Sequence, residues 1–367
     1  MSMLEKKVLI VGTVGLPAKY GGWETLVHYL TKYLSSKINF TVVCSSKNYT
    51  EKLKKYNNAK LVYLPLSANG MASIIYDLWS IIRFGKGHDV ILILGVSGCI
   101  FLPILKWIGF TNKKKIIVNI DGMEWRRQKW GFFAKRFLRI SEKCAVSSAD
   151  LVLSDNEGIT KYINEQYKKD CIEIPYGGDQ AVFEELCKED KIYQEIHQKD
   201  YYFSVARIEP ENNIHMILKA FSSMPERKLV IVGNWDNSNY GASLLKCYAQ
   251  YKNILMIGAI YDLKLLNAMR SNAYGYIHGH SAGGTNPSLV EAMMLGLPIF
   301  AFDVVFNRAT TFSKAYYFQD EEQLKTCIQK TDTSCLIRSG ITLKELAKKH
   351  YLWSRVASQY LNALTAT

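Results

Sequence analysis

Three loops hold most of the residues whose types and spacing could do chemistry. The first follows the apolar run Val8–Val11: Gly12-Thr13-Val14-Gly15-Leu16-Pro17, then Tyr20-Gly21-Gly22-Trp23-Glu24 at the start of an amphipathic segment. A strand, a glycine turn and a helix N-terminus leave backbone amides and the positive end of a helix dipole pointing outward, which is an anion site. The spacing is neither G-x-G-x-x-G nor a Walker motif, so it selects neither a dinucleotide nor a P-loop nucleotide. The alternative is a tight turn that serves only the backbone. The second loop, Asn119-Ile120-Asp121-Gly122-Met123-Glu124-Trp125, places two carboxylates after another buried strand. They can bind sugar hydroxyls or act as acid and base. Equally, Asp121 can be a turn residue, and Glu124 can stabilise the first turn of the next helix.

The third group is split between two strand ends. Tyr202–Ala206 ends in Arg207, followed by Glu209-Pro210-Glu211-Asn212-Asn213. A guanidinium at the carboxyl end of a parallel strand fits phosphate oxygens, unless it pairs with Glu209 or Glu211 instead. Further on, His278-Gly279-His280 runs into Gly283-Gly284-Thr285-Asn286-Pro287-Ser288. Asn286 suits an N-cap, Pro287 the first helical position and Gly296 the stop. The amides there would receive a phosphate past two glycines. Glu291 lies just inside this otherwise apolar helix, where a carboxylate is costly unless hydrogen-bonded. A ribose diol or a structural partner would satisfy it.

The elements that must hold these loops are legible as alternation. Val8–Val11, Phe40–Cys44, Leu61–Leu64, Val90–Leu94, Ile116–Ile120 and Leu151–Ser154 read as buried strands with amphipathic segments between them. The pattern restarts with Tyr202–Ala206, Lys228–Val232, Ile254–Ile257, Ala273–His278 and Pro298–Phe302. Such alternation predicts α/β architecture with two successive doubly wound parallel sheets. Residues 1–178 form the first expected domain and residues 179–367 the second, with the seam in the Pro/Gly turn Ile174–Asp179. Gln180–Asp200 reads as a polar, helix-like connector. The tail 343–366 reads as one helix whose last part, about 346–366, can pack on either domain.

The 367 residues, 48% hydrophobic and 22% charged, exclude a disordered chain. Eight cysteines without C-x2-C spacing predict buried thiols in a reducing cytosol, and no His/Cys/Asp/Glu cluster has metal-ligand spacing. The net charge of +13 is uneven: residues 1–180 carry 26 Lys and Arg against 15 Asp and Glu, the remainder 20 against 18. An anionic partner for the first half follows. The apolar stretch Val90–Phe110 is long enough to span a bilayer, but Gly95, Ser97, Gly98 and Pro103 divide it into a strand, a turn and a short helix. Downstream, Trp130, Phe133, Phe137, Ile140 and Cys144 fall at helical 3–4 spacing and predict a buried stripe. Arg126, Arg127, Lys129, Lys135, Arg136, Arg139 and Lys143 crowd the rest, as in a helix lying on an anionic membrane or simply in a solvated face.

The Gly21-Gly22 loop, Arg207 and Glu291 on two Rossmann-like halves resemble glycosyltransferase family 4 of the GT-B fold, in which the two domains face a cleft. The resemblance covers essentially the whole chain. More narrowly, Val11–Glu24, Asp121–Arg127 and His278–Ser288 look like bacterial rhamnosyltransferases that build capsule, O-antigen and cell-wall polysaccharide. It implies metal-independent transfer with retention from a nucleotide-sugar donor and no other cofactor. By position, Arg207 would stabilise the leaving diphosphate, Glu291 would hold the nucleotide ribose, and Gly21, Gly22, His280, Gly284, Thr285 and Asn286 would line the donor. Asp121 would join Arg207 and Glu291 as a catalytic group, and Glu24, Asp121 and Glu124 would face the acceptor. Two positions depart from the usual pattern: Gly283 stands where the first of two glutamates falls, and Asn212 where a lysine follows the arginine.

The resulting expectation is transfer of L-rhamnose from dTDP-β-L-rhamnose to a lipid-diphosphate-linked saccharide, by a cytoplasmic protein peripheral to the inner face of the membrane. The alternatives are a UDP-hexose donor on the same fold, a non-catalytic nucleotide-sugar-binding scaffold, or a nucleic-acid-binding protein suggested by the charge. No recognised nucleic-acid module supports the last.

Overall fold

The computed structural model describes residues 6–19, 21–120, 122–127, 130–187, 191–196 and 200–366. The chain divides into two compact units, Met1–Tyr176 with Trp353–Thr367, and Gly177–Leu352. The division falls inside the expected turn, and the C-terminal helix belongs to the first unit.

In the first unit the strands are β1 (Lys7–Val11), β2 (Asn39–Ser45), β3 (Lys55–Tyr56), β4 (Ala59–Leu64), β5 (Val90–Leu94), β6 (Lys115–Ile120), β7 (Leu151–Ser154) and β8 (Cys171–Glu173). They form one sheet in the order β3-β4-β2-β1-β5-β6-β7-β8, all parallel except the β3–β4 hairpin. The predicted Val/Ile/Leu runs are its centre, because a parallel sheet covered on both faces buries every side chain. The helices are α1 (Gly22–Leu34), α2 (Ala72–Phe84), α3 (Leu102–Trp107), α4 (Phe132–Ser148) and α5 (Glu157–Tyr167). The chain steps one way from β1 to β2 and the other way from β4 through β5, β6 and β7. Right-handed crossovers therefore put α1 on one face of the sheet and α2, α3 and α4 together on the other.

The second unit repeats the plan with β9 (Tyr201–Val205), α6 (Ile214–Ser222), β10 (Lys228–Val232), α7 (Asn239–Tyr248), β11 (Ile254–Ile257), α8 (Leu263–Ser271) and β12 (Gly275–His278). It continues through α9 (Pro287–Leu295), β13 (Ile299–Phe302), α10 (Val305–Thr310), β14 (Tyr316–Phe318), α11 (Glu321–Lys330) and α12 (Thr333–His350). Its sheet is parallel throughout, in the order β11-β10-β9-β12-β13-β14.

Four expectations need correction. The tail is two helices, α12 and α13 (Trp353–Thr365), broken at Tyr351-Leu352. Tyr351 ends α12 with its amide on the Ala347 carbonyl at 2.8 Å and its hydroxyl on Thr310 O at 2.9 Å. Beyond the break, Trp353 stacks on Tyr29 of α1 with ring centroids 4.4 Å apart, and Val356, Tyr360 and Leu364 join the first core. The described part of 180–200 contains a single turn of 3-10 helix, Lys191–Gln194, rather than a helical connector. Of the cysteines, Cys44 and Cys99 are buried, whereas Cys187, Cys247 and Cys335 are exposed.

The fourth correction is the stripe on α4. Leu138, Ser141, Glu142, Ala145 and Val146 face the protein, while Phe133 and Ile140 are exposed. Small and hydrogen-bonded residues win the inner face because the helix seats closely on the loop after β5 and on α5. The Ser141 hydroxyl donates to Val96 O at 2.5 Å, and Glu142 accepts from the Tyr162 and Tyr167 hydroxyls at 2.7 and 2.6 Å. Among the described residues no helix is long and apolar enough to cross a membrane.

Candidate functional site

Strand order reverses at β9 in the second unit, with β10 on one side and β12 on the other. In an open α/β sheet the crevice past the carboxyl ends of two such strands is where ligands bind. Arg207 follows β9 and the 279–287 loop follows β12, so the fold brings both to this point. The two loops are tied together. Ser281 donates from its amide and its hydroxyl to Glu211 O at 2.9 and 2.8 Å, and Asn213 Nδ2 donates to Gly279 O at 2.9 Å. A Cβ on Gly279 would sit 2.2 Å from Asn212 O, so this close approach requires glycine.

Arg207 is part exposed, and its Nη1 lies 3.7 Å from Glu209 Oε1, a loose contact that leaves most of the guanidinium's donors available. Asn212, where the resemblance expects a lysine, is buried and donates through Nδ2 to the Arg207 carbonyl at 2.7 Å. It therefore fixes the backbone that carries the arginine instead of supplying a cation. Gly283, at the position of the first glutamate, has φ +127° with open space where a Cβ would be, so a side chain there would be strained by the backbone alone.

Helix α9 starts as its sequence dictates. Asn286 Oδ1 accepts from the Ser288 amide at 3.1 Å, Pro287 occupies the first turn, and Gly296 ends the helix. Thr285 is buried ahead of the cap. The sequence missed what holds Glu291. Its Oε2 is 2.7 Å from Nη2 of Arg270 on α8, and its Oε1 accepts from Gln180 Nε2 at 2.7 Å. Arg270 is fully buried and also donates from Nη1 to Asn267 Oδ1 at 3.2 Å. In sequence Arg270 is an ordinary basic residue in the last turn of α8, so no linear signal paired it with Glu291. Glu291 thus has a structural partner on one oxygen, and on the other a neutral amide that a sugar hydroxyl can displace.

His280 stacks on His278 with ring centroids 4.3 Å apart and planes within 6°. His278 is fully buried, neither ring nitrogen has a hydrogen-bond partner, and burial pushes its pKa down to about 3. An unfolded chain takes up this proton near pH 6.5 and the folded chain only near 3, so His278 costs stability as pH falls between those values. Asp77, pushed up to about 7 by burial, has the opposite sign from its ordinary 3.8 upward, and it is common to wild type and variant. Replacing His278 by leucine should therefore make stability less acid-sensitive. Between pH 7.5 and 5.0 the wild type should lose about 2 kcal/mol relative to H278L in chemical denaturation. Parallel pH profiles would refute the assignment.

The first unit has its own reversal at β1, between β2 and β5. The glycine loop lies at this point, and α1 opens at Gly22 with no side chain capping it, so its first amides have no acceptor within the helix. Gly21 adopts φ +129°, and a Cβ there would collide with Glu24 Oε2 at 2.0 Å. Glu24 is drawn inward: its Oε1 accepts from Thr13 Oγ1 at 2.8 Å and the Val14 amide at 2.7 Å. Its position is that of a brace for the loop. Glu124 opens a 3-10 turn and lies 2.8 Å from Arg127 Nε, in keeping with its helix-start reading. Asp121 lies outside the described residues.

Residues 188–325 match the family described as Glycosyl transferases group 1. The two parallel-sheet units have the GT-B fold. Residues 5–179 match a domain of unknown function, DUF1972. No curated protein matches the sequence.

Among solved structures, the chain resembles sucrose-phosphate synthase from Thermosynechococcus elongatus, with TM-score 0.80, 16% identity, 99% of this chain and 100% of that one covered. HepE of Anabaena in complex with UDP and glucose aligns with TM-score 0.73 and 12% identity, over 99% and 100% of the two chains. The α,α-trehalose 6-phosphate synthase of Burkholderia multivorans aligns with TM-score 0.72 and 10% identity, over 99% and 96%. At these identities the likeness concerns the fold.

Proposed function

We propose that this chain is a retaining glycosyltransferase that moves L-rhamnose from dTDP-β-L-rhamnose to a lipid-diphosphate-linked saccharide, in bacterial surface polysaccharide synthesis at the inner face of the membrane. The observation that carries the reading is the convergence of Arg207 and the α9 N-terminus at the switch point of the second sheet, with Glu291 one turn inside. The donor's diphosphate fits the guanidinium and the helix amides, and the lone 3′-hydroxyl of its deoxyribose fits the Glu291 oxygen that Gln180 holds in the free protein.

In the transfer, the bond from the anomeric carbon to the phosphate oxygen breaks and the diphosphate keeps the electron pair. The acceptor hydroxyl closes on the same face, and its proton leaves with the diphosphate. Charge therefore builds on the leaving group, where Arg207 and fixed amides rather than a metal ion supply the counter-charge. The rhamnosyl and lipid-linked parts of the reading rest on the resemblance of the 11–24 and 278–288 stretches.

A UDP-hexose donor is the second reading, favoured by the likeness to HepE, whose structure holds UDP and glucose. A panel of dTDP-rhamnose, UDP-glucose, UDP-GlcNAc, UDP-galactose and GDP-mannose, with a lipid-diphosphate-GlcNAc acceptor, decides between them by calorimetry and product detection. Selective binding and turnover of dTDP-rhamnose is expected. Turnover of a UDP-sugar would replace the donor and keep the transferase, and binding of none would leave a non-catalytic scaffold.

A further inference from the structure

The corrected orientation of α4 leaves an unusual surface on the first unit. On α2, Ser73, Tyr76, Asp77, Ser80 and Ile81 face inward, so Met71, Ile75, Trp79 and Ile82 form an exposed apolar face at helical spacing. On and just after α3, Ile104, Trp107 and Ile108 are exposed, Trp107 at 86%. On α4, Phe132, Phe133 and Ile140 are exposed, Phe133 at 85%. Crossover handedness sets α2, α3 and α4 on one face of the sheet, opposite to α1 and the α13 packed on it. The exposed apolar groups therefore belong to one surface, of a kind that folded proteins rarely leave to water.

The charge around them selects the partner. Residues 71–148 contain thirteen Lys and Arg against five Asp and Glu, and two of the five, Asp77 and Glu142, are buried. Between α4 and α5, Arg136, Arg139, Ile140, Lys143, Gln166 and Tyr167 line a shallow cationic recess of about 240 Å³. A second copy of this chain would bring like charges together, and interface cores are depleted of charge. A nucleic acid would meet the cations but leave the isoleucines and phenylalanines in water. An anionic bilayer satisfies both, because apolar side chains enter the acyl boundary while Lys and Arg meet phosphate headgroups.

We propose that the α2–α3–α4 face is a membrane-docking surface for anionic phospholipid, with Trp107, Phe132 and Phe133 inserted and Arg136, Arg139 and Lys143 on the headgroups. The proposal gives a place to the membrane partner of the reading above and rests on that reading only for its purpose; binding to vesicles needs neither donor nor acceptor. The test is flotation of the full chain with vesicles of phosphatidylcholine alone or with 30 mol% (about one lipid in three) phosphatidylglycerol.

The wild type should float with the anionic vesicles and stay behind with the neutral ones. Its binding should fall as salt rises. Trp107→Ser with Phe133→Ser should weaken partition at least about tenfold, and Arg136→Gln with Arg139→Gln by a similar factor. Both pairs are surface changes, and unchanged circular dichroism and calorimetric binding of dTDP would show that the fold and the donor site persist. Failure of the wild type to float, unchanged flotation of the W107S/F133S variant, or loss of a dimer rather than of vesicle binding in that variant would overturn the proposal. Flotation without any nucleotide-sugar binding would instead remove the transferase reading and leave the docking surface standing.

Discussion

Alanine at position 207 is expected to lower kcat for sugar transfer by about 10²–10³-fold, the usual effect of removing one preorganised group that stabilises developing charge. The guanidinium makes one loose contact, at 3.7 Å to Glu209, and is part exposed, so its loss should change stability by no more than about 0.5 kcal/mol. The pairing of a large kinetic effect with a small stability effect is what separates a leaving-group stabiliser from a structural arginine. Lysine at 207 should recover only part of the activity, since a point charge replaces a planar fork. Turnover by R207A within threefold of wild type would exclude Arg207 from the reaction and return the second unit to a binding role.

Arg270→Met is expected to have the largest effect on folding. Arg270 is fully buried against Glu291 at 2.7 Å, and removing one partner of a buried pair leaves an uncompensated charge worth about 3–5 kcal/mol. Replacing both residues, as R270M/E291M, should restore much of that loss, because the lone charge goes with its partner. Denaturant midpoints of the two single variants and the double variant measure the coupling directly. If Glu291 holds the nucleotide sugar as proposed, the double variant should nonetheless bind nucleotide poorly, because that carboxylate is gone. Recovery of stability together with wild-type donor affinity would show that Glu291 is a structural ion-pair partner and nothing more.

The elements were legible because each rests on a local signal. The five central strands of the first sheet are runs of Val, Ile and Leu, and α9 is bracketed by Asn286, Pro287 and Gly296, whose backbone preferences act within a few residues. Short edge strands such as β3, β8 and β14 were not legible, since two or three residues carry no periodicity. The α4 stripe was misread for a different reason. Spacing identifies a helical face, but which face turns inward depends on what the neighbouring elements offer, here the Val96 carbonyl after β5 for Ser141 and two tyrosines of α5 for Glu142.

By itself, the sequence determined the doubly wound class, the seam near Tyr176, and the candidate groups Arg207 and Glu291, because turn chemistry, capping and strand composition are short-range properties. Only the tertiary structure decided what those groups touch. Arg270 and Gln180 stand 21 and 111 positions from Glu291, Asn212 reaches back to hold the Arg207 carbonyl, and Glu24 turns into its own glycine loop. Hydrogen bonds and burial are set by neighbours in space, and a linear pattern does not specify them until the strands are in order.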